Sequence, residues 1–232
     1  MRPARWHGSV CDLMLFRAQA LLVDIDGTVV DSTAAVVASW TTWAGRYRLD
    51  AGEILRVCHG RRTQDTVAMF LPAERVPSAT RQVEELELAA LDGVAALPGA
   101  DMLLQDLPAN RWAGVTSGSQ RLMRARLAAA RLPVPAVLIA AEDVSEGKPD
   151  PEGYLAAAAA LGCDIVRCVV IEDSPAGIAA GQVAGARTVA VATSHDAAEL
   201  TSADIVVQDL TRCTVELQAD HLVLTANLKL SA

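Results

Sequence analysis

Two carboxylates, Asp24 and Asp26, stand one residue apart directly after the apolar run Leu21-Leu22-Val23, and Gly27 follows them. An uninterrupted apolar run suits a strand buried on both faces of a parallel sheet. Glycine punctuates its end, so both side chains should emerge at the carboxyl edge, where such sheets hold their ligands. Paired carboxylates there can divide nucleophilic and proton-transfer work, or share a hard cation. Taken alone, Asp-x-Asp-Gly fits a polar turn equally well. It does not fit a calcium-binding loop, because Val29 stands where that loop needs glycine and Ala35 where it needs glutamate.

Three further stretches carry matching chemistry. Val115-Thr116-Ser117-Gly118-Ser119 lies between a strand-like run and a helical one. It gathers hydroxyls and backbone N–H groups at a helix start, an arrangement suited to an anion, although helix capping alone would use the same residue types. Gly147-Lys148-Pro149-Asp150-Pro151 sets a lysine in a stiff turn. The chain has 18 arginines but only two lysines, Lys148 and Lys229, so this place looks chosen for an ammonium. A compact point charge can touch a phosphate and a carboxylate together; a solvated surface lysine is the plain alternative. Finally, Cys168-Val169-Val170-Ile171 leads into Glu172-Asp173 and a helix begun near Pro175, repeating the opening pattern. A second acidic strand end could complete an oxygen-donor site for Mg²⁺ with Asp24. Helix capping explains Asp173 but not the convergence. No Gly-x-x-x-x-Gly-Lys-Ser/Thr phosphate loop occurs.

These residues need a frame. Strand-like runs at 20–25, 112–116, 136–140, 168–172, 187–192 and 204–207 alternate with Ala/Leu-rich helical stretches. That alternation predicts an α/β fold, a mostly parallel sheet with helices on both faces. From Ser32 to Leu97 the rhythm breaks: helical stretches 34–48, 51–58, 63–70 and 78–92 follow one another without a strand, too long a segment for an ordinary crossover. The expected organisation is a core of residues 17–31 and 98–232, interrupted by a helical insert over 32–97. Residues 1–16 read as a weakly ordered tail, with Met14 an alternative start, and Thr214 to Leu224 reads as a short hairpin.

The formal net charge of -8 and the absence of any Lys/Arg run argue against nucleic acid or an anionic membrane as partner, which leaves a small ligand. Five scattered cysteines with no Cys-x-x-Cys signal neither a disulfide framework nor zinc, and point to a reduced, cytoplasmic setting. No stretch approaches the roughly 18 apolar residues of a membrane span, and Asp12 and Arg17 interrupt what a signal peptide would need. His7, His195 and His221 have no motif around them.

With the four acidic, hydroxyl and lysine stretches in this order, the chain from about Gln19 to Asp209 resembles the haloacid dehalogenase superfamily of phosphohydrolases and phosphotransferases. HGRRTQD (59–65), the PGA at 98–100, RWAGVTSGS, AAEDVSEGKPDPEGY and VVIEDSPAGIAAG are together similar to its sugar-phosphatase branch, which covers hexose, hexitol, 2-deoxyglucose and glycerol phosphates. The resemblance implies a Rossmann-like core and, for the insert, a small helical cap. It implies Asp24 as nucleophile and Asp26 as general acid and base. Mg²⁺ would sit on the Asp24 side chain, the Asp26 backbone carbonyl and Asp173, with Glu172 adjacent or acting through water. Thr116, the Ser117 backbone N–H and Lys148 would hold the phosphoryl oxygens, and Thr28 would support the loop. His59, Arg62 and Thr63 are the cap residues expected to reach the sugar.

A monomer or weak homodimer acting on a small phosphorylated sugar or polyol is the resulting expectation. A dehalogenase is disfavoured by the presence of Asp26, and a phosphonatase by the lack of any lysine in 32–97. A sugar phosphomutase of the β-phosphoglucomutase type uses the same core groups and remains an alternative. So does a phosphosugar-binding regulator without catalysis.

Overall fold

The computed structural model describes residues 13–105 and 107–227. In chain order, β1 (Leu13–Ala18) runs through Gln19 into β2 (Ala20–Val23). Then come β3 (Val30–Asp31), the helices α1 (Thr33–Tyr47), α2 (Ala51–Cys58), α3 (Thr63–Ala68) and α4 (Val76–Ala89), and β4 (Ala95–Ala96). The rest alternates: α5 (Ala100–Leu104), β5 (Trp112–Val115), α6 (Gln120–Ala129), β6 (Val137–Ile139), α7 (Glu152–Ala160), β7 (Cys168–Glu172), α8 (Pro175–Ala184), β8 (Arg187–Val191) and β9 (Ile205–Val207). The chain finishes with β10 (Cys213–Leu217) and β11 (Leu222–Asn227).

All six strand-like runs of the sequence belong to one sheet, in the order β6-β5-β2-β7-β8-β9, with every neighbouring pair parallel. Successive side chains on a strand face opposite sides, and both sides are apolar here. Leu21, Val23, Val169 and Ile171 enter one core cluster, while Ala20, Leu22, Cys168 and Val170 enter another. Burial on both faces is why these strands read as continuous apolar runs. From β2 the chain moves outward through β5 to β6, then returns to β7 on the other side of β2. The loops after β2, β5 and β7 therefore open around one crevice at the carboxyl edge.

Four helices lie between β3 and β4, and those two short strands pair antiparallel at the root of the insert. Trp40, Trp43, Ala44, Ile54, Cys58, Val67, Ala79 and Val83 give the insert an apolar cluster of its own. Trp43 donates through Nε1 to the Ala79 carbonyl at 3.2 Å, and the Trp40 and Trp43 rings meet edge-on at 5.4 Å. Asp50 starts α2 by accepting from the Gly52 and Glu53 N–H groups at 2.7 and 3.3 Å, the usual work of an N-cap.

One expectation is corrected. Residues 13–16, read as part of a weakly ordered tail, form most of β1, which pairs antiparallel with β11. Phe16 and Ala18 bury against the same cluster as Leu222, Leu224 and Ala226, so the partner that orders this segment comes from the far end of the sequence. Residues 1–12 of the expected tail lie outside the described residues. The hairpin expected at 214–224 is present as β10 and β11, completing a three-stranded sheet with β1. Among the described residues, no helix is long and apolar enough to cross a membrane.

Leu22, in the central strand, is 0% exposed, whereas Leu15, in β1, is 67% exposed. Leu22→Ala is expected to cost about 2–5 kcal/mol of stability, and Leu15→Ala less than about 0.5 kcal/mol. Urea-unfolding midpoints of the two variants check the difference.

Candidate active site

Asp24 sits at the end of β2, its backbone N–H donating to the Ile171 carbonyl at 3.0 Å. The chain then folds tightly. Val29 and Val30 donate to the Ile25 carbonyl at 3.0 and 2.9 Å, and Gly27 donates to Val30 at 2.8 Å. Gly27 has φ +84°, a conformation L side chains rarely adopt, and a Cβ here would meet the Asp173 carboxylate. The bare glycine is what lets the loop after β2 close on the end of β7. Thr28 Oγ1 then donates to Asp173 Oδ1 at 3.2 Å, and the Ser194 hydroxyl donates to Asp173 Oδ2 from the loop after β8.

Asp24, Glu172 and Asp173 are buried, and each offers a carboxylate oxygen within 4.8 Å of the others. Lys148, from the loop before α7, donates to Asp24, to Glu172 Oε1 at 2.6 Å and to the Val115 carbonyl at 3.3 Å. Three acceptors occupy its three protons. Glu172 is fully engaged as well. Its Oε1 also accepts from the Tyr154 hydroxyl at 3.0 Å. Its Oε2 accepts from the N–H groups of Asp173 and Ser174 at 2.9 and 3.0 Å and from the Ser174 hydroxyl at 3.0 Å. Glu172 thus positions Lys148 and the start of α8, leaving Asp24 and Asp173, whose oxygens are less heavily engaged, as the carboxylates with lone pairs to spare.

The electrostatics follow from burial. Desolvation, reinforced by Glu172 and Asp173, holds the Asp24 carboxyl well above its ordinary range despite Lys148. Burial and the Glu172 charge push Asp173 up to about 7. Burial also works against an ionised Glu172, but Lys148 and the Ser174 hydrogen bonds outweigh it and its carboxyl stays below the ordinary value. Burial would lower Lys148, yet Asp24 and Glu172 together raise it. Three carboxylates share one ammonium, an excess of two negative charges when all are ionised. A hard divalent cation with oxygen ligands fits that deficit and that donor set.

Asp24, Asp26, Thr116, Ser117, Gly118 and Asp173 line a cavity of about 240 Å³, closed on the insert side by Trp40, His59, Arg61 and Thr63 among others. Ser119 caps α6 by accepting from the Leu122 N–H at 3.2 Å, which assigns it the capping role its type suggested. Thr116 Oγ1 accepts from the Gly118 N–H at 3.1 Å.

Arg62, expected to reach the substrate, is instead turned into the protein. Its guanidinium binds Asp65 through Nε at 2.7 Å and Nη2 at 3.2 Å, and Nη1 donates to the carbonyls of Val144 and Ser145 at 3.2 and 2.8 Å. Those bonds tie the insert to the loop that carries Lys148. The neighbouring Arg61 is the arginine that lines the cavity.

Several residues at the site were given no role by the sequence. Tyr154 and Ser194 hold Glu172 and Asp173. Arg126 donates to Asp26 Oδ2 at 2.6 Å and to Glu87 Oε1 at 3.2 Å, and Ser32 donates to Asp26 Oδ1 at 2.8 Å. Burial pushes the Glu87 carboxyl up to about 7 even beside Arg126. A signal was available: Ala79, Val83 and Glu87 are the buried residues of α4, and Leu122, Met123, Arg126 and Leu127 those of α6. Each element carries a charged residue at the i, i+4 spacing of its apolar stripe.

The chain matches the family described as haloacid dehalogenase-like hydrolase over residues 18–185. It is 39% identical to Hexitol phosphatase A of Escherichia coli (strain K12), over 87% of this chain and 96% of that protein. It is 37% identical to 2-deoxyglucose-6-phosphate phosphatase 1 of Saccharomyces cerevisiae, over 86% of this chain and 91% of that protein. Among solved structures, a hydrolase from Pseudomonas syringae superposes with TM-score 0.75 at 27% identity, covering 83% of this chain and 94% of that one.

A Cβ on Gly177, in the first turn of α8, would overlap the Glu172 carboxylate. Gly177→Ala is therefore expected to destabilise by about 1–3 kcal/mol, the cost of overpacking a filled site. An unfolding midpoint equal to that of the unmodified protein would show that Glu172 does not occupy this place.

Proposed function

Because the chain belongs to the haloacid dehalogenase-like hydrolases, we propose that it is a phosphatase of small sugar or polyol phosphate monoesters, with Asp24 as nucleophile and Asp26 as general acid and base. The observation that carries this reading is the meeting of Asp24 and Asp173 at the cavity that Thr116 and Ser117 also line, with Lys148 bonded to Asp24. The relatives support it, since two that match most of the chain bear the names of phosphatases for a hexitol and a 2-deoxyglucose ester.

In the first half-reaction an Asp24 oxygen attacks phosphorus, the ester P–O bond breaks, and Asp26 gives its proton to the departing oxygen. Water then attacks the aspartyl-phosphate, the bond to Asp24 breaks, and Asp26 takes a proton back. The Thr116 hydroxyl and the Ser117 backbone N–H would bind the phosphoryl oxygens, and Lys148, bonded to Asp24, would add its positive charge beside them, work that is mainly positioning and charge stabilisation. Held by the Asp24 and Asp173 carboxylates and the Asp26 backbone carbonyl, Mg²⁺ would supply Lewis-acid charge stabilisation at those oxygens. Glu172 serves by orienting Lys148. The insert acts as a cap that excludes water, with His59 and Thr63 toward the sugar and Arg62 fastening the insert to the core. The setting of this activity is cytoplasmic.

A phosphomutase would share every core group and differ in the fate of the phosphoryl group, and a silent regulator would bind without turnover. Incubation with Mg²⁺ and a panel of sugar and polyol phosphates is expected to release inorganic phosphate. Chelation should abolish that release and added Mg²⁺ restore it. Asp24→Asn should reduce it to background, and Asp26→Ala should lower kcat by about 10²–10⁴-fold, the usual worth of general acid catalysis. Isomerised sugar without free phosphate would establish the mutase instead; ligand binding without turnover on any ester would establish the regulator.

A further inference from the structure

A second buried charge cluster borders the same cavity: Asp26, Arg126 and Glu87 all line it. Arg126 is 3% exposed and Glu87 4%. The guanidinium reaches Asp26 on one side at 2.6 Å and Glu87 on the other at 3.2 Å, while the Ser32 hydroxyl holds the second Asp26 oxygen at 2.8 Å. Burying ionised groups is costly, and a well-packed apolar residue at such a place commonly gives an equal or more stable fold. The other buried residues of α6 are Leu122, Met123 and Leu127. A charge on that stripe therefore needs a reason other than stability. Its two partners supply one, because Glu87 belongs to the insert and Asp26 to the catalytic loop.

We propose that Arg126 is a positioning residue for phosphoryl transfer: clamped by Glu87 of the insert, it fixes the Asp26 side chain at the cavity and balances the charge left on Asp26 after its proton has gone to the leaving alcohol. This inference rests on the phosphatase reading above. In the transfer step the Asp26 O–H bond and the ester P–O bond break, while the alcohol O–H bond and the Asp24–phosphorus bond form. The hydrolytic step forms a water oxygen–phosphorus bond, breaks the bond to Asp24, and returns one water proton to Asp26. Between the two steps Arg126 is shared between the Asp26 and Glu87 carboxylates, and the bond to Glu87 keeps the guanidinium, and with it the Asp26 side chain, in place through both halves of the reaction.

The test compares kcat/KM on two esters, since this parameter reports transition-state stabilisation up to the transfer onto Asp24. A hexitol phosphate expels an alkoxide and needs the acid; p-nitrophenyl phosphate expels a stable phenolate and does not. Arg126→Gln is expected to lower kcat/KM for the hexitol phosphate by about 10²-fold, within the range of general acid catalysis, and to affect the aryl ester far less. Arg126→Lys should recover part of the loss. Glu87→Gln, close to isosteric, should show the same preference for damage on the hexitol ester, several-fold in size. Parallel losses on both esters would overturn the inference, leaving Arg126 as packing support only. Should Arg126→Gln fail to fold, Glu87→Gln and Ser32→Ala decide by the same ratio. Failure of the underlying reading looks different. If the unmodified protein releases phosphate from neither ester, the phosphatase assignment falls, and this inference with it. If turnover is present and Asp24→Asn removes it while Arg126 variants lose both activities equally, only the present inference falls.

Discussion

Three buried carboxylates must share one ammonium, and much of the structure follows from that constraint. Burying a charge costs far more than burying a neutral polar group unless it is paired and hydrogen-bonded. Asp24, Glu172 and Asp173 meet that condition through donors drawn from five separate segments: Lys148, Tyr154, Ser174, Thr28 and Ser194. Only a sheet in which β2 and β7 are neighbours can bring Asp24 and Asp173 together, and only a loop with glycine at 27 can let them close. The donors hold the cluster but do not neutralise it, and the remaining negative charge is what a divalent cation on oxygen ligands would offset.

The sheet was legible because its physics is local. A strand buried on both faces must be apolar at every position, so the runs ending in Asp24 and Glu172 announced themselves and their register could hardly be otherwise. The insert was legible for a similar reason, its helices repeating Trp40, Trp43, Ala44 and Ile54 on one face. The motif residues at the strand ends were then placed by topology.

What the sequence concealed depended on partners far along the chain. Leu13 to Phe16 became a strand only because Thr225 to Asn227 and their neighbours pair with it, a contact that no local pattern encodes. Arg62 has the residue type expected of a substrate-binding arginine, and its neighbour Arg61 is identical. Burial distinguishes them: Arg62 finds Asp65 one helical turn away and two carbonyls of the 144–145 loop, while Arg61 is left facing the cavity. Arg126 and Glu87 were concealed differently. Each sits on an apolar stripe, where a charged residue signals a buried partner without naming it.

Arg62, Arg126 and the motif residues Ser117 and Ser119 share a property: they join the insert to the core. Arg62 binds the 144–145 carbonyls, Ser119 hydrogen-bonds Glu84, Arg126 pairs with Glu87, and the Ser117 hydroxyl donates to the Gly60 carbonyl at 2.8 Å. Each core partner is within a few residues of a group assigned to the phosphoryl site, or touches one directly. Ser117 makes the point most simply. Its side chain is committed to the insert, so the group it can offer a phosphoryl oxygen is its backbone N–H, whose direction the hydroxyl's bond to Gly60 helps to fix. Displacing the insert would break these contacts together, loosening the loop before Lys148, the anion-facing turn and the Asp26 side chain in one motion. On the cap reading proposed above, closure of the insert and assembly of the reacting groups would be a single event, confining full catalytic power to the state from which bulk water is excluded.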